Sequence, residues 1–499
     1  MKKKLALNTI TSVIFQLTTL ICGFILPRMI LSTFGSEVNG LVSSINQFLS
    51  MIAFLELGVG AVIVSSLYKP LAEKNSVQVS KVLKSGDRFF KKLAFVLLIY
   101  VIVLMAVYPF CVKTSYGWLY TAILILSMSI SAFAQYYFGI IDRLLLTADQ
   151  RGYIQYTSQI ITLCLNTFAC VLVIKIGGSI QMVKLTTSIL FLARPIALRI
   201  YINKKYNIDR KVQLDEEPIM QKWNGIAQHI ASVILDNTDI IVLTLFSTLS
   251  NVSVYAVYYM IVAGVKGLFL SGVNGVQAVL GELLAKNETE KLERFFGGIE
   301  FTIHTVVVLL FPITAVLIVP FVQVYTKGIT DVNYTQPLFA YLLVAAHAGH
   351  CLRLPYNQMI LAGGHYKQTQ VCHIVAVVVN LVISIVTVYF WGLIGVAIGT
   401  LVAMVYQTIW MVIYNSKNFI KWPIRRTIKQ VLVDIVILLL IISTTSWIKL
   451  GQVSYFSWII MAIKVSVISL MVCLGVNFIL YKKQMLRLLN GVIRKIRKS

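Results

Sequence analysis

Two aspartates three residues apart interrupt a stretch of the chain that is otherwise apolar. Asp236 and Asp239 lie within 226–246, and a spacing of three residues places them on one face of a helix. A carboxylate near the centre of a bilayer costs roughly 2.5–3.5 kcal/mol on insertion scales, so two are tolerated only beside a wet cavity or a cationic partner. The pair therefore predicts a helix face directed into a cavity, rather than a soluble core helix with capping aspartates.

Basic side chains in other apolar segments predict a cationic lane through the interior. Lys266 is central in its segment, and Arg194 and Arg353 each precede or lie near a proline, which loosens the local backbone. Guanidinium groups bind paired oxygens bidentately and ammonium groups add point charge, which favours a polyanion such as a pyrophosphate or an acidic sugar. The predicted substrate-binding residues are Arg28, Arg194, Lys266, Arg353 and Lys464. For Arg28 and Lys464 the alternative is snorkelling to a membrane interface.

His347 and His350, also three residues apart, share a helix face near Arg353. Histidine titrates near neutral pH, so proton coupling is one hypothesis for this pair and structural hydrogen bonding is the other. The predicted counter-ion and coupling residues are Glu56, Asp236, Asp239, His347 and His350. The seven cysteines lack metal-ligand spacing, and neither a nucleotide-binding glycine loop nor a catalytic constellation stands out. We therefore expect no enzyme activity, metal site or cofactor, with proton or sodium as the coupling ion if there is one.

The composition identifies a polytopic membrane protein. Of 499 residues, 58% are hydrophobic and 13% charged, with a mean hydropathy of +0.82, which a water-facing surface could not sustain. The net charge of +25 does not indicate nucleic-acid binding, because most cations cluster in short connections between apolar runs. The lysines after Met1 resemble the start of a signal peptide, but without a small-residue cleavage site they predict an uncleaved first span.

Fourteen segments are long enough to cross about 30 Å of hydrocarbon as helices. They lie near 7–31, 38–67, 89–111, 117–141, 153–175, 180–201, 223–246, 252–285, 299–325, 334–360, 369–390, 392–415, 429–449 and 455–480. Basic residues fill alternate connections from the amino terminus onward, whereas the opposite connections hold little beyond Lys113, Lys175, Lys327 and Lys449. By the positive-inside rule, both termini are predicted to be cytoplasmic.

An internal duplication is predicted from an offset of 214 residues. This gap-free shift aligns Ser36 with Ser250 and Gly58 with Gly272, and it superimposes helix ends and loops as well as helices. Two parallel six-helix repeats would then bind substrate between them near the membrane midplane. The predicted organisation is a lobe at 1–204, a cytoplasmic linker at 205–222, a second lobe at 223–416, a cytoplasmic loop at 417–428, two further helices at 429–481 and a basic cytoplasmic tail at 482–499.

Three short stretches resemble a known transporter family. They are the sequence FGSEVNGL at 34–41, LELGVG at 55–60, and NTDI at 237–240 taken together with VSVY at 252–255. In these stretches, and in its fourteen predicted spans, the chain resembles the Wzx-type lipid-linked oligosaccharide flippases. These flippases belong to the polysaccharide transport family within the multidrug/oligosaccharidyl-lipid/polysaccharide (MOP) exporter superfamily.

The resemblance implies an all-α polytopic fold with a V-shaped architecture like that of the MATE transporters. It also implies movement of an undecaprenyl-pyrophosphate-linked repeat unit across a bacterial plasma membrane, for capsule or O-antigen biosynthesis, by two lobes that alternate between inward-open and outward-open. Implied partners are the lipid-linked oligosaccharide, membrane lipids, and a polysaccharide polymerase and glycosyltransferases. A multidrug/cation antiporter and a peptidoglycan-precursor flippase remain alternatives within the superfamily. A membrane-embedded glycosyltransferase is disfavoured by the short predicted outer loops.

Overall fold

The protein is entirely helical over the residues that its structure, a computed structural model, describes: 2–55, 59–210, 212–213, 226–273, 275–420 and 423–486. These residues contain no β-strand. Eleven of the described helices are long and apolar enough to cross a membrane. The predicted all-α, multi-pass class is therefore confirmed.

The chain divides into two compact units, Met1–Ser253 and Val254–Ser499. The helices of the first are α1 (Lys2–Ser50), α2 (Val59–Ala72), α3 (Ser76–Cys111), α4 (Trp118–Ala134), α5 (Ile140–Ala148), α6 (Gly152–Lys175), α7 (Ile180–Lys205) and α8 (Ile226–Phe246). Helix α9 (Leu249–Gly272) begins in the first unit and continues into the second. The second also contains α10 (Val276–Ala285), α11 (Thr289–Tyr325), α12 (Pro337–Ala362), α13 (Tyr366–Trp391), α14 (Leu393–Asn418), α15 (Ile424–Thr445) and α16 (Tyr455–Leu480).

Each of the fourteen predicted segments is mostly helical where the structure describes it, but several boundaries differ. Helix α1 joins the first predicted segment to the second, and its backbone breaks only at Gly35, where φ is 83°. Helix α3 begins at Ser76 rather than near 89, because the Asn75 side chain caps it by accepting from the backbone N–H of Gln78. The polar first turns of α3 escape a hydropathy search.

The second half of α1 packs closely against α8 and the start of α9 within the first unit. Asn39 Nδ2 donates to Ser253 Oγ at 2.7 Å, and these two residues are separated by the same 214 positions as the predicted repeat. A Cβ atom on Gly40 would lie 1.7 Å from the carbonyl oxygen of Leu249, so only glycine permits this approach. Thr244 Oγ1 donates to Ser44 Oγ at 2.8 Å one turn further along.

A buried carboxylate holds the end of the first unit at which α7 terminates. Asp142, on α5, is fully buried and forms ion pairs with Arg199 of α7 at 2.7 Å and with Arg210 at 3.1 Å. A buried carboxylate needs such partners, since its desolvation costs several kcal/mol. The segment that leaves α7 is therefore fixed to the first unit as far as Arg210.

In the second unit, α11 packs against α12, α15 and α16. Val308 of α11 lies in an apolar cluster with Ile437 of α15 and Cys473 of α16, and Trp458 of α16 donates from its indole nitrogen to the carbonyl oxygen of Leu317. The last two helices are thus attached to the second unit through α11. The predicted domain boundaries stay predictions, and most of the linker at 205–222 and of the tail at 482–499 lies outside the described residues.

Candidate functional site

A polar cavity of about 330 Å³ lies inside the first unit. Helices α4 to α7 and the stretch 46–52 form its wall. The lining residues are Asn46, Leu49, Ser50, Ile52, Met128, Ser131, Ala132, Gln135, Tyr136, Gly139, Arg143, Gln155, Ser158, Gln159, Phe191, Arg194, Pro195 and Leu198. Two are arginines and none of these described residues is a carboxylate. The cavity is therefore electropositive in a part of the chain where the flanking helices are apolar enough to span a membrane.

Arg194 is held in this wall by contacts that use only part of its guanidinium group. Its Nε donates to Thr162 Oγ1 of α6 at 2.6 Å, and the group lies over the Phe191 ring, 3.7 Å from the ring centroid. These contacts fix the plane of the guanidinium and engage Nε, which leaves the terminal nitrogens for a ligand. Such a fork matches two oxygens of a phosphate or a carboxylate.

A π-helical turn, Gln135–Gly139, joins α4 to α5 and shapes the same wall. A π turn inserts one extra residue into a helix and occurs frequently at functional sites. Here it directs Gln135, Tyr136 and Gly139 to the cavity. A Cβ atom on Gly139 would lie 3.1 Å from Cβ of Pro195, so the glycine lets α7 approach the turn closely and brings Arg194 with it.

Amide and hydroxyl groups complete the cavity. Gln155, Ser158 and Gln159 come from α6, and Asn46 and Ser50 come from the second half of α1. Gln159 Oε1 is buried without a hydrogen-bond donor, and a buried acceptor left in that state costs about 1–3 kcal/mol. A ligand hydroxyl would satisfy it. The arrangement suits a ligand that carries both an anionic group and hydroxyls.

The second unit brings four of the predicted residues together. Lys266 of α9 and His347, His350 and Arg353 of α12 are all buried. Arg353 Nη2 donates to His350 Nδ1 at 3.0 Å, and the ring of His347 lies 5.5 Å from that of Tyr259. Lys266 and His347 are also close enough to His350 for their charges to act on it. Part of the predicted cationic lane is thus a compact cluster around α12.

Because arginine always donates, His350 accepts through Nδ1 and keeps its own proton on Nε2 while this bond is made. Arg353 Nη1 also contacts Met404 Sδ of α14 at 3.8 Å. His350 thus takes part in a hydrogen bond that joins it to Arg353, and both the proton-coupling and the structural hypothesis for the pair stay predictions.

The other predicted residues are dispersed. Arg28 is half-buried on α1 and is not among the residues that line the cavity of the first unit, whereas Lys464 is exposed on α16. Asp239 is 5% exposed on α8. The side chain of Asp236 and the whole of Glu56 lie outside the described residues.

A larger groove, of about 1130 Å³, lies on the second unit. One part of its lining is apolar and consists of Leu268, Phe269, Val273, Val276, Phe295, Ile299, Phe301, Ile303, Val306 and Leu310. Another part is polar and includes Glu290, Glu293, Arg294, Arg426 and Gln484. The groove therefore offers a long apolar wall with charged groups beside it. It is formed mainly by α9, α10 and α11, and only Arg426 and Gln484 come from the region of the last two helices.

Sequence reasoning missed most of the cavity of the first unit. It identified Arg194 but neither Arg143 nor the glutamines of the wall. One signal was available: Gln155 and Gln159 are four residues apart in an apolar segment, which places both on one helix face. The π turn leaves no such signal in the sequence, because its residues differ little from those of an ordinary apolar helix.

No protein-family model matches the chain, and no curated protein matches it in sequence. Among solved structures, it resembles the lipid II flippase MurJ in an inward closed conformation. The TM-score is 0.71 at 16% identity, over 96% of this chain and 99% of MurJ.

It also resembles the eukaryotic MATE transporter AtDTX14, with a TM-score of 0.60 at 11% identity over 84% of this chain and 96% of AtDTX14. A third similar structure is an inward-facing multidrug resistance MATE family transporter of the MOP superfamily. Its TM-score is 0.55 at 15% identity, over 80% of this chain and 94% of the transporter. At these identities the likeness establishes the fold. This chain has the fold shared by MurJ and the MATE transporters of the MOP superfamily.

Proposed function

We propose that this protein is a flippase that moves an undecaprenyl-pyrophosphate-linked oligosaccharide repeat unit from the inner to the outer leaflet of a bacterial plasma membrane. The product would serve capsule or O-antigen biosynthesis. The observation that supports this proposal best is the cavity of the first unit, whose described lining residues include two arginines, several amides and hydroxyls, and no carboxylate. A pyrophosphate joined to a sugar presents the complementary groups: paired anionic oxygens and neutral hydroxyls.

The second unit also contains buried cations, Lys266 and Arg353. They support the proposal that the head group of the substrate is anionic. Ammonium and guanidinium groups bind the paired oxygens of a pyrophosphate, so a site that admits one would use these two cations for recognition. We infer that alternating access of two lobes presents these groups to the substrate in turn.

The groove of the second unit supports the proposal that the substrate is linked to a lipid. A polyprenyl chain is too long and too apolar to cross a charged cavity, so its head group would move through the interior while its tail stays in lipid or along a protein surface. The apolar wall of α9 and α11 suits a polyprenyl tail, and Arg294 and Arg426, which share the groove with Glu290 and Glu293, would be the groups that meet its pyrophosphate.

A peptidoglycan-precursor flippase is the second candidate, because the similarity to MurJ extends over nearly the whole of both chains. Both candidates would move a pyrophosphate-linked sugar, and they differ in the head group. A cation antiporter fits less well, because a cationic drug would meet two arginines in the cavity of the first unit.

The test is translocation in proteoliposomes of the purified full-length protein with a fluorescent undecaprenyl-pyrophosphate oligosaccharide. We expect Arg194→Ala to reduce the rate by roughly 10- to 100-fold, since a hydrogen bond to a charged group contributes about 1.5–3 kcal/mol. Arg194→Lys should recover part of it, because an ammonium keeps the charge and loses the bidentate fork.

Lys175→Ala is the matched control, because Lys175 is an exposed cation at the far end of α6 from Gln159. Parent-like transport by Arg194→Ala would contradict the proposed site. Transport of a peptidoglycan precursor in preference to the oligosaccharide would favour the second candidate, and uptake of an organic cation alone would overturn both.

A further inference from the structure

A buried histidine–carboxylate pair joins α11 to α15 in the second unit. His304 Nδ1 lies 2.5 Å from Asp434 Oδ2, and the two residues are 1% and 8% exposed. Gln430 Nε2 donates to the other carboxylate oxygen, Oδ1, at 3.3 Å. Asp434 is therefore buried between α11 and α15.

A second buried carboxylate lies one helical turn away on α11. Glu300 Oε1 accepts from the Tyr356 hydroxyl of α12 and, at 3.0 Å, from Thr427 Oγ1 of α15. Tyr356 is three residues after Arg353, so this contact connects α15 through α11 to the helix that carries the cationic cluster.

We propose that His304 and Asp434 form a proton-binding site that couples proton movement to the conformation of the second unit. When the pair holds one proton beyond the single N–H of a neutral imidazole, shared between the imidazole and the carboxylate, it is neutral overall. Loss of that proton leaves one negative charge in a buried setting, which is costly unless the surroundings rearrange. The reaction is a reversible gain of one proton by the pair, and no other bond is made or broken.

Other titratable groups lie around the pair. Tyr356 of α12 and Cys473 of α16 are near Asp434, and Glu300 lies one turn from His304 on α11. Tyr481 is near Asp434, Glu300 and Arg426, and Lys429 Nζ lies 5.8 Å from the centroid of its ring. The surroundings therefore hold charges of both signs. His304 Nε2 is buried without a hydrogen-bond partner, which leaves one end of the imidazole open to change its bonding.

The predicted histidine pair is a poorer place for a coupling proton. His350 already accepts from Arg353 and lies near Lys266, so an added positive charge would be repelled. His304 instead faces a carboxylate. Because α15 lies outside the predicted duplication, the site also gives this helix a role beyond that of a structural addition.

The direct test is ¹⁵N NMR of full-length protein labelled at histidine and held in lipid nanodiscs. The chain has only six histidines, and the signal lost in His304→Gln identifies His304. We expect the ¹⁵N shifts of His304 in the parent protein to report a proton shared with Asp434, and those in Asp434→Asn to be the shifts of a neutral imidazole, because the amide cannot share that proton. Neutral-imidazole shifts for His304 in the parent protein, or identical shifts in the parent and Asp434→Asn, would overturn the proposal.

A second measurement addresses coupling. Proteoliposomes with an imposed pH gradient should take up or release protons, as reported by a trapped pH-sensitive dye, at least several-fold faster with the parent protein than with His304→Gln or Asp434→Asn. Arg425→Gln, an exposed change on the same helix α15, is the matched control and should behave like the parent. Equal proton fluxes in all four proteins would contradict coupling. Neither measurement requires the oligosaccharide, so its outcome is independent of the proposed substrate.

Discussion

Arg353 organises the buried cationic cluster because a guanidinium can only donate hydrogen bonds. It determines which nitrogen of His350 carries the proton, and it contacts the sulfur of Met404 on the neighbouring helix α14. Lys266 adds a point charge from α9. The spacing of His347, His350 and Arg353 identified their shared face. The closeness of Lys266 to these residues became visible only in the structure. Lys266 is on another helix, and hydropathy does not report how that helix is rotated about its axis.

At this scale we expect Lys266→Ala and Arg353→Ala to impair translocation of the lipid-linked oligosaccharide by roughly 10- to 100-fold, by removing a charged partner worth about 1.5–3 kcal/mol. Lys266→Arg should recover part of the activity, since it keeps the positive charge. The measurements are transport in proteoliposomes and abundance in the membrane by immunoblot. Lys367→Ala, an exposed lysine on α13, is the control. Normal transport by both alanine variants would exclude the cluster from substrate binding.

At the scale of helices, the second half of α1 makes a close contact with the start of α9 that only a small residue permits. Its Gly40 lies against the Leu249 carbonyl, and Asn39 is bonded to Ser253. The sequence identified both regions as similar stretches 214 residues apart. It did not predict that equivalent positions would meet, because a repeat defines the likeness of two segments and not the distance between them.

Gly40→Val should therefore separate α1 from the start of α9, since inserting extra methyl groups into a close contact costs about 1–3 kcal/mol. In a background without the native cysteines, the pair Asn39→Cys and Ser253→Cys should form a disulfide readily. Adding Gly40→Val should reduce its yield several-fold, as read by mobility on non-reducing gels.

Gly23→Val is the matched control for this crosslink, because Gly23 lies on the same helix and nothing lies within 4 Å of its Cβ position. An equal disulfide yield in the Gly40 and Gly23 variants would show that the close approach does not hold these helices together.

For the molecule as a whole, the connections rich in lysine and arginine meet at one end of the first unit. Lys4 Nζ lies 3.1 Å from Asp149 Oδ1 in the turn before α6, and the Tyr206 hydroxyl donates to the same carboxylate. Lys84 bonds to the carbonyl of Val212. Regions far apart in the sequence that were all predicted to be cytoplasmic are therefore neighbours, which supports a common side of the membrane for them.

We expect reporter fusions after Lys84 and Lys205 to report the cytoplasm and fusions near Ser36 and Ser250 to report the outside. The physical reason is the attraction of clustered cations to the anionic inner leaflet. Alkaline phosphatase and green fluorescent protein fusions give opposite signals on the two sides. If Lys84 and Ser36 reported the same compartment, the predicted orientation would be wrong.

Much of this fold was predictable because a bilayer excludes unsatisfied backbone and charge, so spans appear as long apolar runs. The residues of the candidate site were harder to predict from the sequence. The glutamines of α6 and the carboxylate partner of His304 became functional candidates only when helix rotation and pairing were known, and neither leaves a hydropathy signal. Asp434 and His304 are 130 residues apart, and no spacing rule relates two residues on separate helices at that distance in the sequence.

The π turn between α4 and α5 gives the fourth span a mechanical property that a regular helix lacks. Each residue of an α-helix advances the chain by about 100° around the axis, so one extra residue turns everything that follows it by that angle. The wide turn can move along a helix by exchanging one carbonyl partner at a time, without breaking the span. Such a shift would turn the Gln135 side chain out of the cavity wall while the first turn of α5, held by Asp142 and its two arginines, stays in place. The fourth span would then act as a torsional joint, able to change the lining of the cavity while both of its ends remain fixed.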